Sequence, residues 1–173
     1  MALLEHGHSP NSIKERLDVE HQPSYLRDAI LGGIDGCVTT FAVVASVAGA
    51  GLPGVVALAL GVASLIADGF SMGVSNYQGV KSDRDAVDRA RAMENRHIRQ
   101  VPDGEREEVR QIFARKGFDG DILEQIVARI SEDEALWVDT MLREEHGLDL
   151  RGISPLKAAM WTFFAFILVG AIP

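Results

Sequence analysis

Between Ala29 and Val80 the chain carries only two charged residues, Asp35 and Asp68, whereas Lys81 to Arg151 is dense in Asp, Glu, Arg and Lys. Overall composition, 47% hydrophobic and 24% charged, conceals this segregation. A helix that spans a bilayer needs roughly 20 apolar residues, so the first block is long enough for two. Its midpoint, "GAGLPG" at 49–54, is a Gly/Pro turn that separates Ala29–Ala48 from a second stretch running from Pro53 to about Tyr77. A third run, "SPLKAAMWTFFAFILVGAIP", opens with Ser154 as N-cap and Pro155 at the first helical position. The expected fold is all-α: a polytopic helical membrane protein.

The first 24 residues have no apolar core of signal-peptide length and carry acidic residues, so 1–24 reads as a solvated tail and not a cleaved leader. Cys37 is the single cysteine, which leaves no intrachain disulfide. Lys14, Arg16 and Arg27 precede the first span, the hairpin tip is uncharged, and Lys81, Arg84, Arg89 and Arg91 follow the second. The positive-inside rule then puts both the tail and the 81–153 loop in the cytoplasm, the membrane being the cell's inner membrane. A net charge of −8 argues against nucleic acid as the loop's partner and in favour of cations.

A carboxylate at the centre of a bilayer costs about 2.5–3.5 kcal/mol on insertion scales, so it faces protein or an aqueous path. Asp35 is such a residue. In the second span Asp68 and Met72 stand one turn apart on one helix face. A carboxylate and a thioether on facing helices suit a partly dehydrated transition ion better than magnesium or calcium. The alternative is structural: Asp35 bonding to a neighbouring helix, with Thr39, Thr40, Ser71 and Asn76 as interhelical glue and Met72 as core filler. Gly32 with Gly36, and Gly69 with Gly73, are small-xxx-small pairs that allow close helix approach. They are expected to let the first two spans close around Asp35.

In the loop, the second span is expected to continue as a polar helix to about Arg99, broken at Pro102. "GEREEVRQIFARKG" follows as a short helix with Val109, Ile112 and Phe113 on one face, ended by Gly117. "DGDILEQIVARI" carries the stripe Ile122, Leu123, Ile126, Val127 and Ile130. "SEDEALWVDTMLREEHG" begins with a capping box, Ser131 and Glu134, and ends at Gly147. The expected result is a cytoplasmic three-helix domain, 81–153, inserted between a 25–80 hairpin and a third span at 154–173.

Three pairs in this loop share helix faces: Glu94 with His97, Glu105 with Glu108, and Met141 with Glu145. Glu94-x-x-His97 has the spacing of di-iron sites in helical bundles. Taken singly, each pair is more simply a solvated face, with Arg96, Arg99, Arg106 and Arg110 available as partners.

From about Tyr25 to Pro173 the chain resembles the vacuolar iron transporter family. The resemblance is carried by "RDAILGGIDG", "SMGVSNYQGVKS", "VPDGEREEVRQIFARKG" and "WVDTMLREEHGL", in family order and spacing. It implies a homodimer that exchanges cytosolic ferrous ion for protons, with manganous or zinc ion as further cargo, no catalytic cofactor and no enzymatic activity. It also implies that the loop collects the metal. Asp35 matches the family's intramembrane acid and Met72 its pathway methionine. Glu105, Glu108, Met141 and Glu145 match the loop ligands, and Glu94 with His97 occupy the first ligand pair; Asp68, which the resemblance does not place, is expected as an accessory acid from its position in the second span.

The chain departs from the family pattern at three points. His97 replaces a Glu, which keeps a ligand but removes a charge. Ser24 stands where an acid commonly precedes the first span, leaving open whether Glu20 substitutes. The family has five spans, so the resemblance implies a fragment covering three. A rival reading from another class is a membrane-anchored di-iron oxidase or iron-storage accessory. Such a site wants a second Glu-x-x-His pair, and "REEH" has the wrong spacing.

Overall fold

A computed structural model describes residues 8–18 and 24–173. Glu20 and half of the 1–24 tail lie outside the described residues. Among the described residues all regular structure is helical: α1 (Pro10–Asp18), α2 (Leu26–Gly49), α3 (Gly54–Gln100), α4 (Pro102–Arg115), α5 (Gly120–Ser131), α6 (Glu134–Glu144) and α7 (Pro155–Gly170).

Helices α2 and α3 are long and apolar enough to cross a membrane, and only 28% and 11% of their most apolar stretches are buried. A soluble core helix would hide that surface. Ile34, Phe41, Leu58 and Phe70 point outward instead, as lipid-facing side chains do. The tight turn between the helices passes through Gly51 at φ +67, a conformation that favours glycine, and Pro53 then fixes the entry to α3. α3 runs 47 residues without a break, so the polar continuation beyond Tyr77 belongs to the same helix as the second span. At 1.5 Å per residue its length is about 70 Å.

α7 starts as its cap residues dictate: the Ser154 hydroxyl accepts from the Lys157 N–H at 3.5 Å, and Pro155 occupies the first turn. It has 16 residues, fewer than the roughly 20 a span requires. It lies against both α2 and α3.

The glycine pairs serve this contact, which corrects the expectation that they close α2 on α3 around Asp35. A Cβ on Gly32 would sit 2.2 Å from the Thr162 carbonyl oxygen, and one on Gly36 would sit 2.3 Å from that of Phe166. Backbone meets backbone there, so neither position accepts a side chain. Gly69 and Gly73 give room to Phe163, Phe166 and Ala159 of the same helix. On the α3 side the room goes to the Phe163 and Phe166 side chains, and on the α2 side it lets two backbones touch.

A polar knot also ties the three helices. Asn76 Nδ2 donates to Asp28 Oδ1 at 2.9 Å and to Thr162 Oγ1 at 2.7 Å, and the Thr162 hydroxyl lies 3.1 Å from the Ala158 carbonyl. Asn76 thus acts as interhelical glue, with Asp28 and Thr162 as partners that no local pattern marked.

The second core is built by α4, α5 and α6 packed with the far end of α3. Ile98, Val109, Leu123, Val127, Ile130, Trp137, Val138, Met141 and Leu142 are buried together, with Ile112, Phe113 and Ile126 against them. Ile122 is 63% exposed and leaves the expected stripe. The expected capping box is also replaced. Asp133, not Ser131, caps α6, accepting from the N–H groups of Ala135 and Leu136 at 3.0 and 3.1 Å. Ser131 is the last residue of α5 and its hydroxyl donates back to the Val127 carbonyl, so it is unavailable.

Candidate metal centre

Glu94 and His97 are one turn apart near the end of α3, and Pro102 then reverses the chain so that the first turn of α4 brings Glu105 over them. His97 Nδ1 lies 3.4 Å from Glu105 Oε1, and one ligand atom from each of Glu94, His97 and Glu105 falls within 4.8 Å of the others. From the other side comes the end of α6. Its last turn stops at Glu145, and Gly147 at φ +64 swings the chain away. Glu145 and His146 are left at the Glu94 carboxylate: His146 Nε2 is 2.9 Å from Glu94 Oε1 and 3.6 Å from Glu145 Oε2. Glu94, Glu145 and His146 form a second group within 4.8 Å, so Glu94 belongs to both.

Burial and charge make this arrangement unusual. Glu94 is 1% exposed and Glu105 3%, yet Oε2 of each has no hydrogen-bond partner among the described residues. A buried carboxylate without a partner is costly. The arginines that could have neutralised the cluster pair elsewhere: Arg99 with Glu134, Arg106 with Asp103, and Arg110 with Glu107 and Glu124. Lys116 takes Glu144, and Arg91 takes Asp139. Among the described residues no Lys or Arg approaches Glu94, Glu105, Glu108 or Glu145 within ion-pair distance. Glu94 and Glu105 are therefore not half of Arg or Lys ion pairs among the described residues, while Glu108 and Glu145 are exposed.

Protonation responds accordingly. Burial, then the nearby Glu108 and Glu94 charges, push the Glu105 carboxyl up to about 7. Glu145 is raised by burial and by Glu108. His146 is raised chiefly by its hydrogen bond to Glu94. Glu108 itself is exposed and reaches the cluster through its charge. Met141, 0% exposed, is part of the apolar core one turn before Glu145. Chemically, two imidazoles and several carboxylates around two buried, unpaired oxygens suit a divalent transition ion.

The intramembrane candidates are arranged differently. Asp35 and Asp68 are both exposed on the outside of the single chain, with no hydrogen-bonding or ionic partner among the described residues, and Met72 is half-buried. The expected partner for Asp35 is thus not found among the described residues. His146 was missed as a candidate because its relation to Glu94 spans 52 residues and leaves no local spacing.

The VIT family model matches residues 26–173. The chain belongs to the VIT family. Among its relatives, vacuolar iron transporter 1 of Tulipa gesneriana is 30% identical over 171 residues, covering 95% of this chain and 69% of the relative. Vacuolar iron transporter 1 of Arabidopsis thaliana is 32% identical over 149 residues, covering 86% and 60%. The vacuolar iron transporter of Toxoplasma gondii is 31% identical over 153 residues, covering 86% and 50%. This VIT protein therefore spans between half and about two thirds of the lengths of these relatives.

Proposed function

We propose that this VIT protein moves a divalent transition metal ion, ferrous in the first place and manganous or zinc as alternatives, out of the cytoplasm in exchange for protons. The observation that carries the reading is the pair of buried, unpartnered carboxylate oxygens on Glu94 and Glu105, faced by His97 and His146 and avoided by every nearby Arg and Lys. The names of the relatives point to iron as cargo, and to a transporter in preference to an oxidase centre.

In this reading the chain divides into a tail (1–24), a hairpin of two spans (25–80), a loop domain (81–153) and a third span (154–173). The loop domain is cytoplasmic, following the basic residues Lys81, Arg84, Arg89 and Arg91, and the membrane is the inner one. Glu94, His97, Glu105, Glu108 and Glu145 raise the local metal concentration, with Met141 as a soft donor. Asp35 then binds metal and proton alternately, Met72 contributes a thioether and Asp68 is accessory. Because Asp35 lies on the outer face of one chain, a second copy is the natural wall for its pathway, which makes the working unit a homodimer.

Ferrous uptake into vesicles holding the full-length protein, with internal pH followed in the same run, tests this. Metal entry with proton exit, abolished by Asp35→Asn, is expected. Absence of flux from a folded, metal-binding protein would replace transport by storage or sensing.

A further inference from the structure

We propose that His146 is a direct ligand of the loop metal site, in the group it forms with Glu94 and Glu145, and that its imidazole biases this group toward zinc, cobalt and ferrous ions over manganous ion. This rests on the loop cluster being a metal site, as argued above.

Glu94 is the hinge of the argument. Its carboxylate is buried and offers its two oxygens in different ways: Oε1 meets His146 Nε2 at 2.9 Å, while Oε2 has no partner. His97 and Glu105 form one triad with it, and Glu145 and His146 form the other. A histidine present only to neutralise Glu94 would leave no reason for its Nε2 to sit 3.6 Å from a second carboxylate, that of Glu145, while the second Glu94 oxygen stays unsatisfied. One imidazole nitrogen converging with oxygens of two carboxylates is a donor set that suits a divalent transition ion. His146 is also partly open to solvent, so an ion can reach it. The backbone supports the placement: the Leu148 N–H donates to the Leu142 carbonyl at 2.9 Å and Gly147 takes the left-handed turn, so the position of His146 is set by the end of α6.

The selectivity follows from ligand type. Carboxylates alone accept manganous ion readily, whereas each imidazole added favours the ions later in the divalent series.

The test compares binding of zinc, cobalt and manganous ions to the full chain in detergent, for the wild type, His146→Gln, His146→Asp and Glu105→Gln. His146→Gln keeps a hydrogen-bond donor for Glu94 but is a poor ligand. Even outer-shell partners of metal ligands are worth about 10- to 100-fold in affinity, so zinc and cobalt affinity are expected to fall at least that far. Manganous affinity should change much less, and the cobalt absorption bands should shift. His146→Asp should retain manganous binding while losing the preference for zinc. If His146→Gln leaves zinc affinity unchanged while Glu105→Gln weakens all three ions, the ligand role of His146 is wrong and the site stands. If all three ions weaken equally in His146→Gln, the residue only positions Glu94, and the selectivity claim is overturned. Strong binding that none of the three substitutions affects would remove the loop site itself.

Discussion

Glu94 and His146, 52 residues apart in the chain, meet at 2.9 Å where the far end of α3 crosses the end of α6. Around that contact four carboxylates gather with no Lys or Arg in ion-pair range among the described residues, and this imbalance has consequences for the protein without metal.

Glu105 makes the metal-free protein less stable as pH rises. Its folded-state pKa is raised from 4.5 to about 7, so the associated stability is fully present below 4.5 and is lost as pH climbs through 7. One pKa unit corresponds to about 1.4 kcal/mol, so the loss across this window is of order 3 kcal/mol. Denaturant unfolding in chelator at several pH values should show the decline, and Glu105→Gln should flatten it. Metal affinity should move the opposite way, rising with pH as the carboxyl ionises. A metal-free stability that increases from pH 5 to pH 7 and is indifferent to Glu105→Gln would contradict this assignment.

Gly36→Ala should loosen the contact between α2 and α7. The new methyl would lie 2.3 Å from the Phe166 carbonyl oxygen, and overpacking of this kind costs about 1–3 kcal/mol or more. Gly79→Ala is the control: it lies within α3 with nothing inside 4 Å of the added carbon, and removing a helical glycine is worth about 0.5–1 kcal/mol of stabilisation. Thermal stability in one detergent, measured side by side, should move in opposite directions.

Asn76→Leu should destabilise the α2–α3–α7 contact by about 1 kcal/mol, the usual scale for interhelical hydrogen bonds in membranes. It removes the amide that bonds both Asp28 and Thr162. Thr162→Val should give a smaller loss in the Asn76→Leu background than alone, because the two share one knot. Additive losses in that double-mutant cycle would mean the bond contributes nothing.

Asp133→Ala should cost about 1 kcal/mol through loss of the α6 cap, with Ser131→Ala costing less. Chemical unfolding of the two variants ranks the caps. A larger effect at Ser131 would restore the capping box read from the sequence.

Much of this architecture was legible because it is local. The apolar blocks, the turn at Gly51 and Pro53, the Ser154–Pro155 start of α7 and the break at Pro102 each arise from neighbouring residues. Glu94, His97 and Glu105 were legible as candidates through helical spacing, Glu94 with His97 and Glu105 with Glu108, but spacing alone favours a solvated face and only the family resemblance pointed to metal. What escaped depends on which helices touch. Gly32 and Gly36 advertise close packing but not its partner, which is α7. Ile122 continues a 3.6-residue stripe and yet faces solvent, since α5 has too little covering it. His146 follows "REE" as a surface residue would, and only the tertiary crossing of α3 and α6 brings it to Glu94.

The unbroken course of α3 acts as a ruler. Met72 and Glu94 stand on the same rigid rod, and at 1.5 Å per residue the rise between them is about 33 Å. Electrostatic influence through salt solution fades over about 8 Å, several times less than that span. Under the proposed function, an ion held at Glu94 is too far from Met72 to be shared with it, and passage between them requires release and diffusion. In that same reading the loop cluster is a reservoir, and the length of one helix sets its distance from Met72.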